Sequence, residues 1–314
     1  MLDLIIVGGG PAGASAGVYA ARKRLETVLV VHEWGGQSTV SDNIQNWIGS
    51  PKISGQQLAE NLRKHVESYA GDSLSVVFPD TAVALKQEND KVTVTLASGK
   101  KYEARAVLIT AGATRRKLQI PGAEEYEQKG LTYCATCDGP LFEGKDVAVI
   151  GGGNAAFETA AQLLAYCKTV TLVNRSDTFR ADEITVRAVL SHPNVRVIKN
   201  AAPTAVTGEK FVTGLKWKDV KTGAEETLSL EGIFVEIGLL PNTSWLKDSL
   251  VLNKIGQIVV DPLTQRAAIS DDKGFPSRVW AAGDCTDGKY HQNNIAAGDA
   301  VKALEDIYLF IKSS

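Results

Sequence analysis

Apolar positions in this chain gather into short, unbroken runs, and few stretches alternate. Leu4-Ile5-Ile6-Val7, Thr27–Val31, Ala106–Thr110, Asp146–Ile150 and Thr169–Val173 each read as a strand buried on both faces, as strands of a parallel sheet are. Val92–Leu96 alternates and reads as a strand with one buried face. "LEGIFVEIGLLPN" predicts one further buried strand, ended by Pro241, and "RVWAAGDCTDG" a last strand running into a Gly-Asp turn. "NIAAGDAVKALEDIYLFIK" predicts a closing helix. One order of elements occurs twice. "LDLIIVGGGPAGASAGVYAAR" at the start is answered by "KDVAVIGGGNAAFETAAQLLA" from Lys145. Each is an apolar run, three glycines and a small-residue helix, with a second apolar run some twenty residues on, which is the order of a βαβ unit. The prediction is an α/β protein with two Rossmann-like three-layer dinucleotide-binding domains, the second inserted in the first. Residues 1–113 and 242–314 form one domain and 114–241 the other, the first crossing lying near the turn Ile120-Pro121-Gly122 and the return at Pro241.

The two glycine loops differ in the residues beyond them. Gly8, Gly10 and Gly13 stand between a strand and a helix, the context that gives this motif its meaning: a tight turn, and backbone N–H groups close to a pyrophosphate. Glu33 comes twenty residues after Gly13, where a carboxylate accepts hydrogen bonds from ribose hydroxyls. The second loop, Gly151-x-Gly153-x-x-Ala156, has no acid at the corresponding place. Asn174 and Arg175 stand there, with Arg180 beyond. Arginine pairs with a 2′-phosphate that a bare carboxylate would repel, so this loop leans towards NADPH over NADH. Two unlike loops suggest two unlike dinucleotides. A pyridine nucleotide beside a flavin makes a path from hydride to thiol chemically sensible.

A terminus for that path stands at Cys134 and Cys137, in "YCATCDGP". A structural zinc site needs about four Cys or His ligands, and Cys167, Cys285 and the four histidines supply no second pair at ligand spacing. A disulfide across two residues closes a loop too short to constrain the unfolded chain much. Redox cycling is what remains. Asp138 comes directly after the pair and is placed to protonate a leaving thiolate; it also opens the turn Asp-Gly-Pro, and the two roles are compatible. A net charge of −2 and a pI near 6.1 give no footprint for nucleic acid or anionic membranes. The one apolar N-terminal run is four residues long, too short for a signal or a span, so a cytoplasmic location is expected.

Together with Gly35–Gln37, "TAGATRRKLQIPG" (Thr110–Gly122), "VAVIGGGNAAFE", "GIFVEIGLLPNT" and "VWAAGDCTDGKYHQ", these strings resemble, in order and over essentially the whole chain, the low-molecular-weight thioredoxin reductases. The second half is also similar to the flavoprotein subunit of alkyl hydroperoxide reductase. The resemblance implies a two-domain fold of the pyridine nucleotide-disulfide oxidoreductase type, normally a homodimer, that carries FAD and takes electrons from NADPH. It implies FAD contacts at Gly8, Gly10, Pro11, Ala12, Gly13, Glu33, Gly36, Gln37, Asn46, Ala111, Gly112, Gly283, Asp284 and Gln292, and pyridine-nucleotide contacts at Gly151, Gly153, Asn154, Ala155, Arg175 and Arg180. Cys137 would face the flavin, Cys134 would attack the partner, and Asp138 would be the acid. In such enzymes the nucleotide domain swings between two orientations about its crossings, here expected near Ala113–Pro121 and Pro241–Thr243. The hydroperoxide reductase subunit has thioredoxin-like modules ahead of its flavin loop, which here begins at residue 8, so the expected acceptor is a separate thioredoxin- or glutaredoxin-like protein.

The chain also departs from the family. NADPH-using members carry His-Arg-Arg where Asn174-Arg175-Ser176 stands, and NADH-using subunits place an acid near Asn174. NADH and ferredoxin therefore stay open as donors, either one with a peroxiredoxin system downstream, as does a flavin redox sensor without turnover. The loop Ser270–Ser277 is longer than usual and has no assigned role.

Overall fold

The computed structural model describes residues 1–41, 44–71, 73–269 and 277–313. Most of the long loop, 270–276, lies outside the described residues; Ser277 at its end is buried. Contacts divide the chain into two compact units, Met1–Thr114 with Leu240–Ser314, and Arg115–Leu239. In chain order the first unit opens with β1 (Leu2–Gly9), α1 (Pro11–Arg22), β2 (Thr27–Trp34), α2 (Gly55–Glu67), β3 (Leu74–Val77), β4 (Ala82–Gln87), β5 (Val92–Leu96) and β6 (Lys101–Ile109). Strand β7 (Ala113–Arg115) leads out of it. The second unit holds β8 (Leu131–Thr132), α3 (Ala135–Asp138), β9 (Asp146–Ile150), α4 (Asn154–Leu163), β10 (Thr169–Val173), α5 (Glu183–Leu190) and β11 (Val195–Ile198). It continues through β12 (Ala201–Gly208), β13 (Val212–Asp219), β14 (Glu225–Ser229) and β15 (Gly232–Val235). Strand β16 (Leu239–Pro241) leads back and pairs with β7, and the chain closes with β17 (Val279–Ala281) and α6 (Asn293–Ser313).

In the first unit β3, β2, β1, β6 and β17 lie side by side and parallel, which explains the unbroken apolar runs: Leu4, Ile5 and Ile6 of β1 are wholly buried. One face packs under α1 and α6. Helix α1 is built almost entirely of small residues, and Ala14, Ala16 and Ala20 let it lie close to the sheet and to α6. The other face is covered by residues of β4 and β5 and by Leu246, Leu250 and Ile258. The apolar run Ala106–Thr110 marks only half of its strand. Residues Lys101–Ala104 extend it towards the N-terminus, and this more polar half pairs antiparallel with β5.

In the second unit β11, β10, β9, β15 and β8 make an all-parallel sheet, and β12, β13 and β14 an antiparallel one. The stretch "LEGIFVEIGLLPN" departs from the expectation of one strand. It forms β15 and β16 with a break between them. The Glu236 amide donates to the Ile150 carbonyl at the end of the ladder, and Gly238 takes a φ of +111°, which turns the backbone out of the sheet. No described helix is long and apolar enough to cross a membrane.

Candidate functional site

Strand β1 delivers its glycines to the C-terminal edge of the first sheet, and α1 begins there with Gly10 as N-cap and Pro11 at its first position. No side chain caps the helix, so its first amides face the opening. A cleft of about 520 Å³ lies over this point. Gly8, Gly10, Pro11, Ala12, Glu33, Gly36, Gln37, Ala111, Gly112, Gly283 and Asp284 all line it. Three expected residues do not line it. Gly13 packs the helix onto the strand: a Cβ there would come within 1.8 Å of the Gly8 carbonyl oxygen. Asn46 and Gln292 bond each other, Nδ2 donating to Oε1 at 3.1 Å.

Other lining residues were not among the expected cofactor contacts. Asp80 and Thr81 come after β3, and Asn242 and Trp245 come from the far end of the chain. Asn242 staples the turn at residues 111–114: its Nδ2 donates to the Ala111 carbonyl at 2.9 Å and its amide to that of Gly112 at 3.0 Å. The cleft fits a flavin dinucleotide in one specific respect. A Cβ at Gly10 would meet nothing within 4 Å, so the space beside the uncapped helix start is open to a phosphate group.

The second loop repeats this geometry at the start of α4. Gly153 is its N-cap, no side chain caps it, and a Cβ at Gly153 would again meet open space. Asn154 and Ala155 are exposed at the first turn. The segment after β10 folds back over the loop: the Arg180 amide donates to the Gly152 carbonyl at 2.8 Å, and the Asp182 amide to Asn154 Oδ1 at 2.8 Å. Arg175 and Arg180 are both exposed. Asn174 is buried against Gly152, its Nδ2 donating to the carbonyls of Ser176 and Thr178 at 2.9 Å each. It shapes the segment that carries the arginines. Beside the loop, the largely buried Glu236 accepts from Thr159 Oγ1 at 2.9 Å and from Arg115 at 3.3 Å. Burial pushes this carboxyl above its ordinary range against the pull of both donors.

Cys134 and Cys137 are joined as a disulfide at the N-terminus of the one-turn helix α3. Cys134 is its N-cap, and its Sγ accepts the Cys137 amide at 3.2 Å. Both cysteines are half-buried, while Asp138 behind them is 6% exposed and bonded by the Thr132 hydroxyl. Cys167 and Cys285 are free and buried, and burial lifts their thiols to about 11 and about 12. They stand apart from the redox pair in reactivity as well as in sequence.

A redox disulfide and two dinucleotide loops, each on its own parallel sheet, define a class, and the sequence matches it: the chain belongs to the pyridine nucleotide-disulphide oxidoreductases, with the match running over residues 2–300. Within that class it is a flavoprotein oxidoreductase of the thioredoxin reductase and alkyl hydroperoxide reductase type, and membership implies FAD and NAD(P)H. The fold is similar to thioredoxin reductase from Giardia duodenalis, at 31% identity over 99% of each chain with a TM-score of 0.90. It is also similar to thioredoxin reductase from Streptococcus pyogenes, at 31% identity over 100% of this chain and 99% of that one, with a TM-score of 0.87. In sequence it is 41% identical over 309 residues to an alkyl hydroperoxide reductase subunit of Staphylococcus aureus, and 40% identical over 301 residues to a Bacillus subtilis protein named NADH dehydrogenase. Those matches cover 98% and 96% of this chain, which spans 59% and 57% of the length of the two relatives.

Proposed function

We propose that this protein, working as a homodimer, is an FAD-dependent disulfide reductase that passes electrons from NADPH through the Cys134–Cys137 pair to a separate thioredoxin- or glutaredoxin-like protein. The observation that carries the reading is the pair itself: a half-buried disulfide with a buried carboxyl directly behind it, in a chain with two distinct dinucleotide loops. FAD, when bound, takes hydride from the nicotinamide and supplies two electrons to a disulfide. Gly8, Gly10, Pro11, Ala12, Glu33, Gly36, Gln37, Gly283 and Asp284 would hold it, with Ala111 and Gly112 at the far wall. Gly151, Gly153, Asn154 and Ala155 would hold the pyridine nucleotide, and Arg175 and Arg180 its 2′-phosphate.

Once reduced, Cys134 attacks the acceptor disulfide as a thiolate, forming a mixed disulfide and releasing one acceptor sulfur. Cys137 then attacks the Cys134 sulfur, re-forms the internal disulfide and releases the second. Two electrons leave the pair, and the acceptor gains two electrons and two protons. Asp138 delivers a proton to a departing thiolate.

NADH as donor is the second reading. It is favoured by the use of Asn174 as a loop staple beside a single arginine at 175, and by the similarity to a protein named NADH dehydrogenase. Anaerobic titration of the bound flavin with NADPH, NADH and reduced ferredoxin separates the donors. Turnover with thioredoxins of the same host tests the acceptor. A flavin bleached by neither nicotinamide would sink the donor assignment. A cysteine pair that cycles with redox poise but reduces no thioredoxin-fold protein over many turnovers would leave only a sensor. Asp138→Asn is expected to slow acceptor reduction about a hundredfold, as loss of a general acid does.

A further inference from the structure

The residue two positions ahead of the redox pair is tied to both ends of its chemistry. Thr132 lies in β8, 3% exposed, where the strand pairs with Phe234 of β15. Its Oγ1 accepts the Cys134 amide at 3.2 Å. One lone pair is thus committed to the cysteine, and the hydroxyl hydrogen is directed onto Asp138 Oδ2. Asp138 itself closes the helix turn that Cys134 opens, its amide donating to the Cys134 carbonyl at 3.1 Å. The backbone joins cysteine to acid on one side and the threonine hydroxyl joins them on the other. A valine of the same shape would keep the strand and lose both hydrogen bonds.

We propose that Thr132 is a positioning residue for the thiol–disulfide exchange: its hydroxyl, oriented by the Cys134 amide, holds the Asp138 carboxyl in the one rotation from which it can protonate a departing thiolate. The proposal rests on the reading of Asp138 as the acid in the reductase cycle given above. In the step concerned, the Cys134 thiolate forms a bond to one sulfur of the acceptor disulfide, the acceptor S–S bond breaks, and the leaving sulfur takes the electron pair and the Asp138 proton. When Cys137 displaces the second acceptor sulfur the same demand arises again, and the proton that the Cys137 thiol gives up reloads Asp138 to meet it. How much a leaving thiolate needs an acid depends on its basicity. An aliphatic thiolate is a poor leaving group and gains from proton delivery, whereas a nitrothiobenzoate leaves unaided.

That difference supplies a test independent of flavin, nicotinamide and natural acceptor. The full-length protein is reduced with excess dithiol, desalted anaerobically, and mixed in single turnover with hydroxyethyl disulfide or with dithiobis-nitrobenzoate. Thr132→Val is expected to slow oxidation by the aliphatic disulfide about 10- to 100-fold, on the scale of a misplaced catalytic group, with less than about a threefold change for the aromatic one. Thr132→Ser, which keeps the hydroxyl, is expected to restore the aliphatic rate. In an Asp138→Asn background, Thr132→Val should add almost nothing. Thr132→Ala is read in the same way if the valine variant does not fold. Equal slowing with both disulfides, failure of serine to rescue, or full additivity with Asp138→Asn would each overturn the proposal. Absence of turnover with thioredoxin-fold proteins would strike at the acceptor assignment instead and leave these rates standing.

Discussion

A methyl group added at Gly10 would meet no atom within 4 Å, at backbone angles of φ −77° and ψ −172° that alanine adopts freely. A methyl group added at Gly13, three residues on, would lie 1.8 Å from the Gly8 carbonyl oxygen and 2.9 Å from Thr110 Oγ1. One motif therefore contains two glycines with different tasks. Gly10→Ala should leave the stability of the flavin-free protein within about 1 kcal/mol of wild type. Alanine is a poorer N-cap than glycine by some tenths to about 1 kcal/mol, and the smaller entropy of the unfolded chain offsets a similar amount. The same methyl projects into the space where a phosphate would approach the helix start. Overpacking of about 1–3 kcal/mol there weakens FAD binding by a factor of about 5 to 150. Gly13→Ala should do the reverse first. Relief of its contact needs a shift of more than about 1 Å between two buried backbone segments, so the flavin-free protein should lose about 3 kcal/mol or more. Urea unfolding of the stripped protein and titration with FAD by fluorescence quenching read the two quantities separately. A Gly10→Ala variant that binds FAD as tightly as wild type would refute the placement of the phosphate site. A Gly13→Ala variant with an unchanged urea midpoint would refute the packing argument.

Three further outcomes are expected from the site. After reduction, mild alkylation near pH 8 should label two cysteines by mass spectrometry and spare Cys167 and Cys285, whose thiols burial lifts to about 11 and about 12; labelling of either in the native protein would contradict that burial. Because Glu236 holds its proton more tightly in the folded than in the unfolded chain, its contribution to stability is greatest below pH 4.5 and falls as pH rises through the raised folded value. Glu236→Gln should therefore flatten the decline of the urea midpoint above that pH, and an unchanged slope would show that the carboxyl is not desolvated. If NADPH is the donor, Arg175→Ala should raise its KM about 10- to 100-fold and that of NADH less than about threefold, whereas equal changes would rule out the phosphate contact.

The parts of the molecule legible in sequence are those whose signal is local. A strand buried on both faces is a continuous apolar run, and a loop approached by phosphate is glycine beside a small-residue helix, so both βαβ units stand out. The cysteine pair and its neighbouring acid are legible for the same reason. Features without a local signal are set by partners distant in the chain. Lys101–Ala104 carries no apolar run because it pairs with β5, which buries only alternate residues fully. Asn242 reaches the first cleft only because β16 pairs with β7, and its hydrogen bonds to residues 111 and 112 span some 130 positions. Asn174 stands where a cofactor-reading residue is expected, yet its amide is bonded to its own loop, a use that the residue type alone does not distinguish. Thr132 belongs to no motif and is found only through the two hydrogen bonds that converge on its oxygen.

The insertion of residues 115–239 also has a consequence for how the chain is made. Helix α1 packs against α6, yet about 280 residues separate their starts, and strand β17, which completes the parallel sheet, comes after the insert as well. A ribosome working from the N-terminus therefore releases all of the inserted unit before the first unit can close. During that interval the part of α1 that packs on α6 and the edge of β6 at Val107–Ile109 that pairs with β17 have no partner, while the inserted unit already contains every strand of its own sheet. The second unit in sequence is thus the first whose strands are all present, and between Leu239 and the emergence of α6 the unpartnered surface of the first unit is open to aggregation.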